Sequence, residues 1–176
     1  MTKKRARRKA RGRTAAPRID ILISSPQWRR RRKVTSLLRK AMRTAALIAG
    51  NAGSTPSAEL AILLADDSAI RALNHDWRKR NAATNVLSFP TKSLRGQSPR
   101  HLGDIVIAYE TVAREAETEG KSFDHHLVHL AIHGYLHLLG HDHATDRDAD
   151  EMEQLEIDIL ARLGVPDPYR TAGPPA

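Results

Sequence analysis

Residues 133–143 read His133-Gly134-Tyr135-Leu136-His137-Leu138-Leu139-Gly140-His141-Asp142-His143, and the rest of the chain is organised around them. His133 and His137 are four apart, so on a helix they lie one turn above each other on the same face. That spacing lets two neutral imidazoles reach one metal ion at roughly 2.0–2.1 Å each. Gly140 supplies the left-handed conformation that ends a helix and swings the chain back. His143 then arrives from beyond the turn as a third ligand. A histidine pair at this spacing is by itself an ordinary feature of a helix surface or a core. Three histidines at these intervals around a turn glycine predict a metal site.

The spacing H-x3-H-x5-H, with Gly140 ahead of the last histidine, resembles the zincin pattern HExxHxxGxxH. Gly134 stands where a metalloprotease carries its general-base Glu. Without that carboxylate the usual peptide hydrolysis has no proton acceptor. The motif therefore predicts a metal but not an ordinary protease. A peptidase that draws its base from elsewhere stays open.

At 176 residues, with 40% hydrophobic and 28% charged side chains, the chain suits one globular domain with a sizeable core. Aromatic residues make up 4%, so the core rests on Leu, Ile, Val and Ala. The absence of cysteine excludes disulfides and thiolate ligands, leaves histidine and carboxylate, and fits a reducing cytoplasm. No apolar run approaches a membrane span, and no signal-peptide core is visible, so no membrane partner is expected.

Residues 1–18 carry nine Lys or Arg and no acid. The whole chain has 29 basic and 20 acidic residues, a net charge of +9, so residues 19–176 balance to zero. This basic tail, residues 1–17, cannot bury a core and is expected to be disordered when free. RNA contact through counterion release is the favoured reading, against a solubilising tail or a transit peptide. A second basic run, Arg29 to Lys33, is read either as a solvated helix start or as an extension of an RNA-binding surface.

Periodicity orders the remainder. Ile19–Ile23 alternates as a first strand, stopped by Ser24-Ser25-Pro26. Val34, Leu37, Leu38, Ala41, Met42, Ala45 and Ile48 form one helical stripe, broken at Gly50-Asn51-Ala52-Gly53. Glu59–Leu64 reads as a strand buried on both faces. Asp67 caps a helix whose stripe is Ile70, Leu73 and Trp77. Thr84–Pro90 is a short strand, residues 91–101 a mobile polar loop, Leu102–Ala108 a fourth strand, and Glu110–Gly120 a surface helix. The metal-bearing helix runs from near Ser122 to Leu139, burying Leu127, Leu130, Ala131 and Leu138. A last helix runs from Thr145 towards Leu163 on Met152, Leu155, Ile159 and Leu163. Its acids, Asp146, Asp148, Asp150, Glu151 and Glu153, face solvent and complement the helix dipole. Gly164 onward, rich in proline, reads as a loose tail. This order predicts an α+β single domain, a mixed four-stranded sheet flanked by about five helices.

Three blocks, Asn74 to Pro90, Leu102-Gly103-Asp104-Ile105 and the 133–143 stretch, resemble the YbeY family, the bacterial endoribonuclease and rRNA maturation factor. The blocks occur in the family's order, and the resemblance covers about residues 18 to 165. The basic tail and the proline-rich C-terminal tail, residues 166–176, lie outside it. The resemblance implies a zinc-dependent, single-strand-specific endoribonuclease of the bacterial cytoplasm. Its implied roles are 16S rRNA 3′-end maturation, ribosome assembly and ribosome quality control, with the ribosome or its 30S subunit as partner. It carries the metal ligands onto His133, His137 and His143 and the catalytic arginine onto Arg78, which follows Trp77 where the family often has Tyr. Spacing alone makes Arg78 a surface arginine in an Arg-Lys-Arg run.

The chemistry is consistent with that implication. Three neutral histidines leave the full +2 charge on zinc, which suits an anionic phosphodiester, and Arg78 offers a forked pair of donors to the same phosphate. Attack by a 2′-hydroxyl and attack by water remain equally open. The alternative class is a non-catalytic ribosome-assembly factor with a structural zinc. Near the ligands, Asp142 either orients an imidazole or caps the turn, beside His141. His129 forms a competing pair with His133 but has no turn glycine or third ligand behind it, so it reads as a core or rim histidine. His125 and His126 read as solvated, and Asp104 as a turn cap.

Overall fold

The computed structural model describes residues 17–49, 58–92 and 101–170. The basic tail up to residue 16, the break at Gly50–Gly53, residues 93–100 of the polar loop and residues 171–176 of the C-terminal tail lie outside the described residues. The elements follow as β1 (Arg18–Ile23), α1 (Pro26–Arg29), α2 (Val34–Ile48), β2 (Glu59–Ala65), α3 (Asp67–Arg78), β3 (Val86–Pro90), β4 (His101–Ala108), α4 (Tyr109–Thr118), α5 (Phe123–Leu138) and α6 (Asp146–Leu163).

The four strands form one mixed sheet in the order β1-β2-β4-β3. β1, β2 and β4 run parallel, joined by helical crossovers, and β3 pairs antiparallel on the far edge with Ser88 opposite Ile105. The architecture is α+β, as the sequence predicts. One helix is additional: the single turn α1 at Pro26, within the expected strand stop. It exists to bury Trp28, which is fully enclosed, donates Nε1–H to the Ala65 carbonyl at 2.8 Å and meets Tyr109 and Phe123 edge-on.

The two faces of the sheet are covered unequally. On one, α2 and α5 pack against the strands with α6 behind them, enclosing Ile62, Ile105, Leu127, Ala131, Tyr135 and Met152 among others. On the other, α3 alone covers a smaller core of Ala65, Ile70, Leu87, Val106 and Ala108. β2 is accordingly not buried on both faces: Leu60, Ile62 and Leu64 are buried, whereas Ala61 and Leu63 are half-buried beneath the thinner layer. Trp77, assigned to the apolar stripe of α3, is also corrected. That stripe ends at Ile70 and Leu73, and Trp77 is 71% exposed. The helix turns its buried side through Asn74 instead, whose amide donates to the Ala82 carbonyl at 2.8 Å.

Several single residues differ from their expected roles. The cap of α3 is Asp66, which accepts from the Ala69 N–H. Asp67 sits in the first turn and accepts from both the N–H and the hydroxyl of Thr111. Asp104 lies within β4, exposed, next to His101 rather than at a turn. From Gly164 the chain is not loose as far as Arg170. The Pro168 carbonyl accepts from Lys121, and Tyr169 packs its ring edge-on to His129.

Candidate metal centre

α5 is apolar nearly all round, with ten of its residues buried, and it lies between the sheet and helices α2, α4 and α6. A helix in that position tolerates polar side chains only where each finds a partner. His126, His129, His133 and His137 follow each other at three- and four-residue steps, one stripe along the helix. Each has its own acceptor. His126, expected in solvent, is 5% exposed and sits 2.8 Å from Glu115 Oε2. His129 Nε2 lies 3.0 Å and His133 Nδ1 2.7 Å from the two oxygens of Glu156. His137 Nδ1 donates to the His141 carbonyl at 2.9 Å.

The turn that ends α5 supplies that last acceptor. Gly140 has φ +94°, and its N–H and that of His141 return to the carbonyls of His137 and Leu136. This left-handed cap is the one the sequence predicts. It brings His143 over the helix end, where its ring stacks on His133 with centroids 5.3 Å apart. Asp142 accepts from the His143 N–H at 2.8 Å and thus holds the turn, not an imidazole. One nitrogen from each of His133, His137 and His143 lies within 4.8 Å of the others.

Tautomers follow from the partners. An ionised Glu156 can only accept, so His133 donates through Nδ1; the His141 carbonyl imposes the same on His137. Their Nε2 atoms then present two lone pairs to each other at 3.1 Å. A cation between them satisfies both, and this donor set of neutral nitrogens fits a borderline-soft divalent metal. Burial lowers the pKa of His137 and the neighbouring His133 lowers it further, so its imidazole stays neutral to lower pH than usual. His129 turns its Nε2 to Glu156 and is not among the described residues whose nitrogens converge, which are His133, His137 and His143.

Glu156 was not singled out in the sequence, yet it anchors the centre. It is 0% exposed. Burial alone would raise its pKa, but hydrogen bonds from His129, His133 and Tyr169 outweigh burial and hold the carboxyl at about 2. The Tyr169 hydroxyl donates to the oxygen shared with His129. A signal was available: Glu156 stands four after Met152 and three before Ile159, an acid in the middle of the buried stripe of α6.

Gly134, at the place of the zincin Glu, faces the sheet. A Cβ there would stand 2.9 Å from Ser88 Oγ and 3.1 Å from Ile105 Cγ2. α5 therefore touches the sheet at Gly134, where Ser88 donates to its carbonyl at 3.1 Å, and a larger side chain at this position would press on Ser88 and Ile105. A cavity of about 510 Å³ opens beside the histidines, lined by Arg78, Ser88, Pro90, His133, His137 and Asp142 among others. Arg78, the last residue of α3, thus shares a cleft with two of the three candidate ligands. No described residue forms an ion pair with its guanidinium. In the Arg29–Lys33 run, Arg31 is engaged internally, lying over Phe123 at 3.5 Å and paired with Asp124 at 3.0 Å.

A family model described as Endoribonuclease YbeY matches residues 22–164. The chain belongs to the YbeY family. Endoribonuclease YbeY of Nitrobacter winogradskyi is 51% identical over 162 residues, 89% of this chain and 84% of that one. The protein of the same name from Rhodopseudomonas palustris strain BisA53 is 49% identical over 157 residues, 87% of this chain and 90% of that one. The solution structure of TM1509 from Thermotoga maritima shares the fold with a TM-score of 0.55 at 20% identity, covering 87% of this chain and 99% of that one. Membership in a family of endoribonucleases makes a hydrolase acting on RNA the class of this chain. No helix among the described residues is long and apolar enough to cross a membrane.

Proposed function

We propose that this chain is a zinc-dependent endoribonuclease, specific for single-stranded RNA, that acts in 16S rRNA 3′-end maturation, ribosome assembly and ribosome quality control. His133, His137 and His143 hold the ion, and Arg78 binds the scissile phosphate. The observation that carries this reading is the pair of facing Nε2 lone pairs, fixed by Glu156 and the His141 carbonyl, in the cleft that Arg78 enters. Zinc, when bound, supplies a Lewis acid for a phosphoryl oxygen and lowers the pKa of water. Glu156 and His141 keep the imidazoles in the ligating tautomer. Arg78, free of other partners among the described residues, offers two N–H groups to the phosphate and counters the charge that grows on it.

Three ligands among the described residues leave a coordination position for substrate, which favours an enzyme over an assembly factor with a structural zinc. The proposed setting is the cytoplasm, with the ribosome or its 30S subunit as partner and the basic N-terminal tail contacting RNA. The test is incubation of the purified protein with single-stranded and duplex RNA, with zinc or chelator, beside His137→Ala. Cleavage of the single strand that needs both metal and His137 is expected. No cleavage with zinc bound would overturn the reading.

A further inference from the structure

The metal cleft has a neighbour. A groove of about 730 Å³ lies on the thinly covered face of the sheet, lined by Leu22, Leu63, Leu73, Trp77, Phe89 and Val106 among others. Arg78, Ser88 and Pro90 line both the groove and the metal cleft, so the two are continuous. Trp77 stands at this junction, 71% exposed, directly before Arg78 in the chain. Phe89 meets it edge to face, with ring centroids 5.7 Å apart at 64°. This contact steadies one side of the indole and leaves much of the ring open. Leu22, at 59% exposed, extends the apolar floor. An exposed Trp costs solubility without adding to the core, and the buried side of α3 runs through Ile70 and Asn74 instead.

We propose that Trp77, backed by Phe89, is a stacking platform for a nucleobase next to the phosphate held at Arg78 and the histidines. The inference rests on the ribonuclease reading and deepens it by assigning the preference for single strands to a residue. A base can lie on Trp77 only when it has left a helical stack, whereas the phosphate contacts of a cleft do not tell strand from duplex. Continuity with the cleft selects this occupant. The residue that would bind a phosphate and the residue that would take a base are adjacent, as are the two groups in a nucleotide. The groove's apolar lining suits the faces of bases; of its two charged side chains, Arg78 stands at the junction with the metal cleft and Asp104 lies on the sheet between Ala61 and Phe89.

The chain has two tryptophans, and Trp28 is fully buried, so a change in emission on ligand addition reports Trp77. Metal-free protein, which holds no active centre, would be titrated with a single-stranded oligoribonucleotide, its duplex and an abasic strand of equal length, binding being followed in parallel by anisotropy. Quenching by the single strand, weak or none with the duplex and the abasic strand, is expected. In the zinc-loaded protein Trp77→Ala should raise KM about tenfold with kcat little changed. Trp77→Phe should restore KM while abolishing the quenching signal. Emission that ignores a bound single strand, or that responds equally to the abasic strand, would overturn the proposal. So would emission that follows protein concentration alone, which would make the groove a contact between two copies. Absence of cleavage by the unsubstituted protein would sink the ribonuclease reading instead, and the metal-free titration would still decide whether Trp77 stacks on bases.

Discussion

Glu156 Oε1 lies 2.7 Å from Nδ1 of His133, and Glu156 has no exposed surface. One carboxylate on α6 thereby decides which nitrogen of His133 on α5 is left to face the proposed metal. Such outer partners typically contribute 10- to 100-fold in metal affinity. Glu156→Gln should weaken zinc binding by about that factor in a chelator competition. Unchanged affinity would reduce Glu156 to a packing role. Glu156→Ala should in addition lose on the order of 1–3 kcal/mol of stability, since it strands the donors of His129 and Tyr169.

The same carboxyl links stability to pH. Its pKa falls from an ordinary 4.5 to about 2 in the folded protein. A depressed acid stabilises the fold above its unfolded value and loses that contribution as pH falls through its folded value. Metal-free protein should therefore lose on the order of 3 kcal/mol between about pH 4.5 and pH 2 from this group. Denaturation midpoints of Glu156→Gln should fall less steeply over that window; parallel curves would contradict the assignment.

His133→Ala and His137→Ala should each abolish both zinc content and RNA cleavage. Zinc retained by both variants would remove the centre from these residues. Arg78→Glu should behave differently, keeping zinc and stability within about 0.5 kcal/mol, because its guanidinium is exposed, while losing cleavage. Undiminished cleavage would remove Arg78 from the mechanism.

Gly134→Ala places a methyl group against Ser88 and Ile105. A shift of α5 away from the sheet is expected, costing about 1–3 kcal/mol in chemical denaturation and loosening metal binding. A variant as stable as the original would mean that α5 has room at this position.

Deleting residues 2–16 removes all eight basic residues of the tail, leaving Arg18 at the start of β1. RNA affinity should drop and the slope of log affinity against log salt should flatten, with the melting temperature unchanged. An unaltered slope would make the tail a spectator.

The sequence by itself determined the order of the strands and of the five longer helices, because periods of two and of three to four residues report which side of an element meets a core. It also determined the three histidines and the turn at Gly140, because helix spacing and a left-handed glycine are local properties of the chain. Tertiary structure decided what local properties cannot carry. Glu156 reads as one more acid on an acidic helix until α6 docks and its side chain is sealed against His129 and His133. His126 reads as polar until Glu115 meets it inside the fold. Trp77 reads as core until the sheet leaves its second face thinly covered. Gly134 reads as a missing base until α5 is seen touching β3. In each case the role depends on a partner from another element, since a buried charge or an exposed ring acquires its meaning from what packs against it.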